Sequence, residues 1–311
     1  MRVQSGMRLF VIALIGASAC GSSSAPTTPG PGAGPGPVTG GVMGCAITAA
    51  ASTTPLIADP KSPYFDQIGL AQSGDGATTS GYVELLAHAS APDATRLPDG
   101  TLGVYYHNGS SGGSIWLGRL QGTALTPGSV ITVDGVAGPR WMADPNVDVV
   151  NGRVRMFYMN GESSSVRRFC VAESDDGLRF TTRAMAIEFA GGTEADPSVV
   201  QLSDGSWLMA FSRANHSGMG LARSTDGLTF TAFTTNSLGV VPELAALPGG
   251  RVRLYACAAG NVDAYLSADR GVTWNREGTV ITRNTTGRAI VCDPTYVPTD
   301  GVFIFKTTDA M

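Results

Sequence analysis

The sequence predicts an all-β protein, a five-bladed β-propeller, from three observations. An acidic residue, a strand, a tight turn and a second strand recur five times at intervals of roughly fifty residues. A further strand, turn and strand follows most copies. Glycine supplies 41 of 311 residues and charged residues only 15%, which suits a turn-rich β-protein and not a helical bundle.

The clearest copy runs from Glu194-Ala195-Asp196-Pro197-Ser198 through the Ser203-Asp204-Gly205 turn to Trp207 and Phe211. The others begin at Asp93, Asp144, Glu243 and Asp293 and turn at Asp99-Gly100, Asn151-Gly152, Gly249-Gly250 and Asp300-Gly301. Ala58-Asp59-Pro60 looks like a sixth leading acid, but too few residues separate it from the next turn to hold two strands.

The second halves carry turns of their own. These are Ser174-Asp175-Asp176-Gly177, Ser224-Thr225-Asp226-Gly227 and Ser267-Ala268-Asp269-Arg270-Gly271, each followed closely by an aromatic residue. The Asp caps backbone N–H groups and the Gly takes the left-handed position. Repeat 1 has Gln121-Gly122 there instead. Repeat 5 ends after its second strand, and its missing half lies at the other end of the chain. Residues 67–72 followed by Ser73-Gly74-Asp75-Gly76 match the third strand and its turn, and residues 82–87 the fourth. The N-terminal strands therefore complete the C-terminal blade and close the ring, which removes exposed sheet edges.

The chain ahead of the propeller is read by composition. Residues 1–20 have a positive start, Arg2 and Arg8, a short apolar run and Ala17-Ser18-Ala19-Cys20. The run is too short to span a bilayer, and the pattern resembles a bacterial lipoprotein signal with lipid on Cys20. Gly21 after the Cys favours the outer membrane by that resemblance. Residues 21–43, rich in Ser, Thr, Pro and Gly, cannot bury enough to offset their ordering entropy and read as a tether. The folded domain is expected over 44–311, as a monomer. Cys45, Cys170, Cys257 and Cys292 are an even set in an oxidising compartment, with three possible pairings, or four buried thiols, left open. With three His and no CxxC, no metal is expected, nor any other cofactor. The net charge of −4 without a basic run excludes an extended nucleic-acid surface.

Antiparallel blades place all five leading acids on one face, around the axis. The loops at His107, Asn160, Arg213 and His216 join them there, as do the links carrying Arg140, Trp141 and Arg288. Five converging carboxylates repel one another, which raises some pKa values toward those acid/base work requires. Asp-Pro is also a local device, since Pro presets φ and holds the Asp extended.

Acids at the starts of inner strands, in a five-repeat propeller, resemble the arabinanase and β-xylosidase families of glycoside hydrolases, and the Ser-x-Asp turns resemble the Asp-box of sialidase-type propellers. The first resemblance implies a glycan substrate, with one Asp as general base, a second Asp tuning pKa and a Glu as general acid. Glu243 matches the acid and Asp196 the tuning Asp, while Asp93 and Asp144 both remain open for the base. Trp141 would be a sugar platform, and Arg140, His107, Asn160, Arg213, His216, Arg288 and Asp293 would line the substrate. The alternatives are a propeller that binds a glycan or protein without turnover, and a sialidase-like enzyme, which needs three Arg around a substrate carboxylate and has six blades.

Overall fold

The computed structural model describes Val42, residues 44–161 and residues 165–309. The signal at 1–20 and the tether, except Val42, lie outside the described residues. Strands β1 (Asp66–Gln72) and β2 (Ser80–Ala87) come first. Blade 1 follows as β3 (Ala89–Arg96), β4 (Leu102–Asn108), β5 (Ser114–Gln121) and β6 (Ala124–Val130). After β7 (Thr132–Val133) and β8 (Val136–Ala137), blade 2 contains β9 (Met142–Val150), β10 (Arg153–Asn160), β11 (Val166–Ser174) and β12 (Arg179–Ala190). Blade 3 contains β13 (Ala195–Gln201), β14 (Trp207–Ser212), β15 (Met219–Ser224) and β16 (Thr231–Asn236). Blade 4 contains β17 (Val240–Leu247), β18 (Arg251–Ala258), β19 (Asn261–Ser267) and β20 (Asn275–Ile281). The last blade starts with β21 (Ile290–Val297) and β22 (Val302–Thr308) and is finished by the first strands, in the order β2-β1-β22-β21. The β1–β22 ladder keeps one register from Asp66↔Thr308 to Gln72↔Val302. The predicted ring closure is therefore present.

Burial grades outward from the axis. The second strands, such as β4 and β14, are buried almost throughout because a neighbouring blade covers each face. They read in sequence as continuous apolar runs, whereas the outermost strand β16 is exposed over most of its length. The apolar core forms five clusters, each shared by two adjacent blades. Tyr105 of blade 1 and Met156 of blade 2 share one, and Phe169 of blade 2 and Phe211 of blade 3 share the next.

In every blade but the first, a Ser-x-Asp turn docks on the blade before it. In the turn at 174–177, Asp176 Oδ1 accepts from the N–H of Leu178 (2.9 Å) and Arg179 (2.8 Å), and Ser174 Oγ accepts from Gly177 N (2.9 Å). Asp75, Asp226 and Asp269 cap their turns in the same way. Tyr105 of blade 1 donates to Gly177 O of blade 2 at 2.8 Å, and Tyr255 of blade 4 donates to Gly76 O of the closing blade at 2.8 Å. A Cβ on Gly177 (φ 74°) would lie 2.7 Å from the Tyr105 hydroxyl, so the left-handed turn and the close docking both require glycine.

One blade departs from four strands. The link from blade 1 folds into the β7–β8 hairpin around Asp134-Gly135, both at positive φ, and β7 adds in parallel to β12. Asp134 fixes it by accepting from Thr182 N (2.9 Å) and Thr182 Oγ1 (2.7 Å). The hairpin covers what would otherwise be an open outer edge.

Disulfides join Cys45 to Cys170 and Cys257 to Cys292, which answers the pairing question and marks an oxidising, extracytoplasmic compartment. The first staples the N-terminal segment into the cluster between blades 1 and 2. The segment then crosses blade 1, where Arg140 N donates to Ala49 O (2.9 Å) and Leu56 N to Gly109 O (2.9 Å). No helix among the described residues is long and apolar enough to cross a membrane. Replacing Cys45 and Cys170 together by Ala is expected to cost about 2–5 kcal/mol, read as a lower urea midpoint at unchanged m-value.

Candidate functional site

The site is built on a backbone irregularity repeated five times. Each innermost strand (β3, β9, β13, β17 and β21) bulges at a residue followed by proline. The residues before proline are Ala91, Asp144, Asp196, Val241 and Asp293, at φ 44°, 52°, 55°, 51° and 46°. Left-handed backbone is uncommon for these residue types and rarest for a β-branched Val. Proline offers no N–H to a ladder, so the bulge falls where pairing is already interrupted.

This register splits the five leading acids into two tiers around one cavity of about 40 Å³. Asp144, Asp196 and Asp293 precede proline, whereas Asp93 and Glu243 follow it. The structure thus brings all five together, but not at equivalent positions as the acid-to-acid spacing predicts. Ala91 and Val241 occupy the two remaining places in the upper tier.

The lower tier, Asp93, Asn146, Ser198, Glu243 and Thr295, is a belt of hydrogen bonds from blade to blade. Asp93 accepts from Val147 N and from Asn146 Nδ2 (3.1 Å). Asn146 Oδ1 accepts from Val199 N at 2.8 Å. Ser198 Oγ accepts from Leu244 N (2.9 Å) and donates to Glu243 Oε2 (2.9 Å). Glu243 also accepts from the Tyr296 backbone, and Thr295 bonds Asp93 to complete the circle. Both carboxyls are buried. Burial pushes Asp93 up to about 7 and drives Glu243 well above the usual carboxyl range, and their mutual repulsion adds to the shift of Glu243.

The upper tier is less tightly bonded. Asp144 is pushed up to about 7, first by burial and then by the Asp196 and Asp293 charges. Its own N–H donates to His107 Nε2 at 3.1 Å. His107 Nδ1 lies 2.6 Å from Gly113 O, so the ring carries its proton on Nδ1, and burial keeps it neutral. Asp196 N donates to Asp144 Oδ2 at 3.4 Å, and Asp196 Oδ2 faces His216 Nε2 at 3.4 Å. The His216 pKa is raised, chiefly by that contact. Asp293 pairs with Lys306 Nζ at 2.6 Å, and its N–H donates to Cys257 Sγ at 3.3 Å. Burial raises the Asp293 pKa against the pull of Lys306.

The other sequence candidates spread over the face. Trp141 is 46% exposed, with the Arg140 guanidinium 4.3 Å from its ring centroid. Arg213 is exposed, Asn160 is buried with Nδ2 3.4 Å from Gly44 O, and Arg288 is ion-paired with Glu84 and Asp309. These five residues do not line the cavity. Sequence reasoning missed Lys306 and the belt residues Asn146, Ser198 and Thr295. The signal was present in the prolines at 92, 145, 197, 242 and 294, which stand at one structural position in every repeat whereas the acids do not. Among the described residues no group of three or more His, Cys, Asp or Glu is placed to hold a metal ion.

These features define a five-bladed propeller with an axial, acid-lined cavity, resembling GH43 glycosidase structures at low identity. No protein-family model matches the chain, and no curated protein does. A protein of unknown function from Dyadobacter fermentans is similar, with TM-score 0.57 and 17% identity over 80% of this chain and 85% of its own. The GH43 endo-arabinanase from Bacillus licheniformis has TM-score 0.51 and 13% identity, over 70% of this chain and 93% of its own. A GH43 β-1,3-galactosidase, solved with galactodeoxynojirimycin, has TM-score 0.52 and 12% identity, over 71% of this chain and 85% of its own. At these identities the likeness is one of fold.

The buried acids give stability an unusual pH dependence. Raised pKa values at Asp93, Asp144, Glu243 and Asp293 mean that the folded chain holds more protons than the unfolded one between about pH 4 and 7. Stability from these groups is therefore full below about pH 4 and falls as pH rises through 7. The capped turn acids, including Asp75, Asp176, Asp226 and Asp269, have lowered pKa values, and their contribution is lost as pH falls below about 4. Neutral His107 works against the carboxyls below about 6.5, as one group against four. Urea unfolding from pH 3 to 9 is expected to give a maximum near pH 4–5 and a lower midpoint at pH 8. A flat profile from 5 to 8 would contradict the burial of the ring.

Proposed function

We propose that the chain is a glycosidase-like propeller acting on a glycan at the axial cavity, with Asp144 as the proton donor and Asp196 as the water-activating base. The observation that carries this is a pair of Asp-Pro carboxyls in unlike surroundings. Asp144 is pushed up to about 7, and Asp196, one hydrogen bond away, faces the His216 imidazole. An acid that keeps its proton near neutrality beside a second carboxyl that faces an imidazole is the equipment of general acid/base hydrolysis. The fold likeness to an endo-arabinanase and a β-1,3-galactosidase supports a sugar as the ligand. The exposed Trp141 face supplies a stacking surface beside the rim.

Asp93 and Glu243, which the family resemblance would place in the chemistry, are assigned here to the floor. Each already accepts bonds that tie neighbouring blades, and that restrains the motion a proton donor needs. A sialidase-like reading draws no support, because the ring has five blades, Arg288 is engaged by Glu84 and Asp309, and neither Arg140 nor Arg213 lines the cavity. Lipid on Cys20 and the tether at 21–43 would hold the domain at the outer membrane as a monomer.

A glycan array and an aryl-glycoside screen of the full chain test the reading. Hydrolysis is expected, and Asp144→Asn and Asp196→Asn are each expected to lower it by several hundredfold or more. Glu243→Gln is expected to act mainly on stability, lowering it by about 1–3 kcal/mol through the damaged belt. A second reading is a glycan-binding module without turnover that holds its sugar on the outer face, since the cavity of about 40 Å³ is far below the roughly 300–1,000 Å³ of ligand pockets. Binding with no hydrolysis by the wild type would establish that one instead.

A further inference from the structure

Asp144 and Asp196 share a sequence context, a backbone conformation and a tier, so nothing in the repeat itself makes one an acid and the other a base. We infer that His216 makes the difference, as a positioning residue whose imidazole sits against the Asp196 carboxyl and leaves Asp144 to keep the proton. The inference rests on the acid/base reading above.

The geometry is asymmetric. His216 Nε2 stands 3.4 Å from Asp196 Oδ2. The Asp144 carboxylate has only the Asp196 N–H, also at 3.4 Å. His107, the imidazole nearest Asp144, meets its backbone N–H and not its carboxylate. The segment that presents His216 is strained for the purpose. Asn215 and His216 are consecutive left-handed residues, at φ 56° and 51°, in a short turn after β14. Two bonds fix that turn: Asn215 N donates to Thr193 Oγ1 at 3.1 Å, and His216 N donates to Arg213 O at 2.9 Å. The ring is half-exposed, with 47% of its side chain accessible, so it exchanges protons with solvent while touching the carboxylate.

The charges that face His216 come from three blades: Asp196 on β13, Asp144 on β9 and Asp293 on β21. All three favour the imidazolium, and Asp196 is the largest influence. Asp293 has its own cation in Lys306, so the imidazolium is left to Asp196. The Asp196 N–H reaches Asp144 Oδ2 and the Asp196 charge raises the Asp144 pKa, and an imidazole set against one of two neighbouring like carboxyls decides which keeps the proton.

NMR titration of the full chain tests this without any substrate. The His216 ring is followed in the wild type, Asp196→Asn and Asp144→Asn. Asp196→Asn is expected to lower the His216 midpoint by about one pH unit or more, and Asp144→Asn by clearly less. The Asp144 carboxyl carbon is then followed in the wild type and His216→Gln. A single transition near pH 7 is expected to become a two-step curve once the two carboxyls share the proton. An unmoved His216 midpoint in Asp196→Asn, or an unchanged Asp144 curve in His216→Gln, would overturn the inference. Activity separates it from the reading beneath it. Both NMR changes in a chain that hydrolyses nothing would leave the split standing and remove the glycosidase. Hydrolysis whose pH–rate profile is the same in His216→Gln would keep the glycosidase and remove the split.

Discussion

The proline bulge within each innermost strand is the constraint on which the rest depends. The ladder breaks at this proline in all five blades, and the residue before it lies in left-handed backbone, not in the extended conformation that proline alone favours. In every blade the two residues that flank this proline, two apart in sequence, reach the axis at two heights. One height closes into a belt and the other stays open to chemistry.

The two tiers handle their charges differently. In the belt, Asp93 and Glu243 gain several bonds each, so their burial is compensated by donors from the next blade. In the upper tier, His216 sits against Asp196 and Lys306 against Asp293. Asp144 has neither, and burial, followed by the charges of the other two acids, raises its pKa. Fivefold repetition makes the places, and departures from it at Ala91, Val241, His107, His216 and Lys306 make those places unlike one another.

Much of the architecture was legible because it is periodic. Glycine at left-handed turns, Ser-x-Asp caps and the missing half of the last repeat each have a local cause that sequence displays, and Val302 to Thr308 indeed pairs with the strand at Asp66. The site was legible only in outline. Asp93 and Glu243 look equivalent to the Asp-Pro acids when repeats are aligned on charge, yet they fall two residues deeper when aligned on proline. Asn146, Ser198 and Thr295 carry no distinctive chemistry until the ring places them beside one another. Lys306 sits in an ordinary strand, and only ring closure brings it to Asp293. The β7–β8 hairpin was hidden because Asp134-Gly135 reads equally well as a plain loop.

Closure of the ring by β1 and β22 also bears on how the chain acquires its shape. The two strands that seal the last blade are more than two hundred residues apart, so a growing chain cannot complete that blade until its end is available. Until then β3 and β21 lack a neighbour, and apolar surface on two blades stays uncovered. The order of synthesis thus delays closure of the ring until β22 has been made, and every earlier blade must hold its fold as part of an open arc.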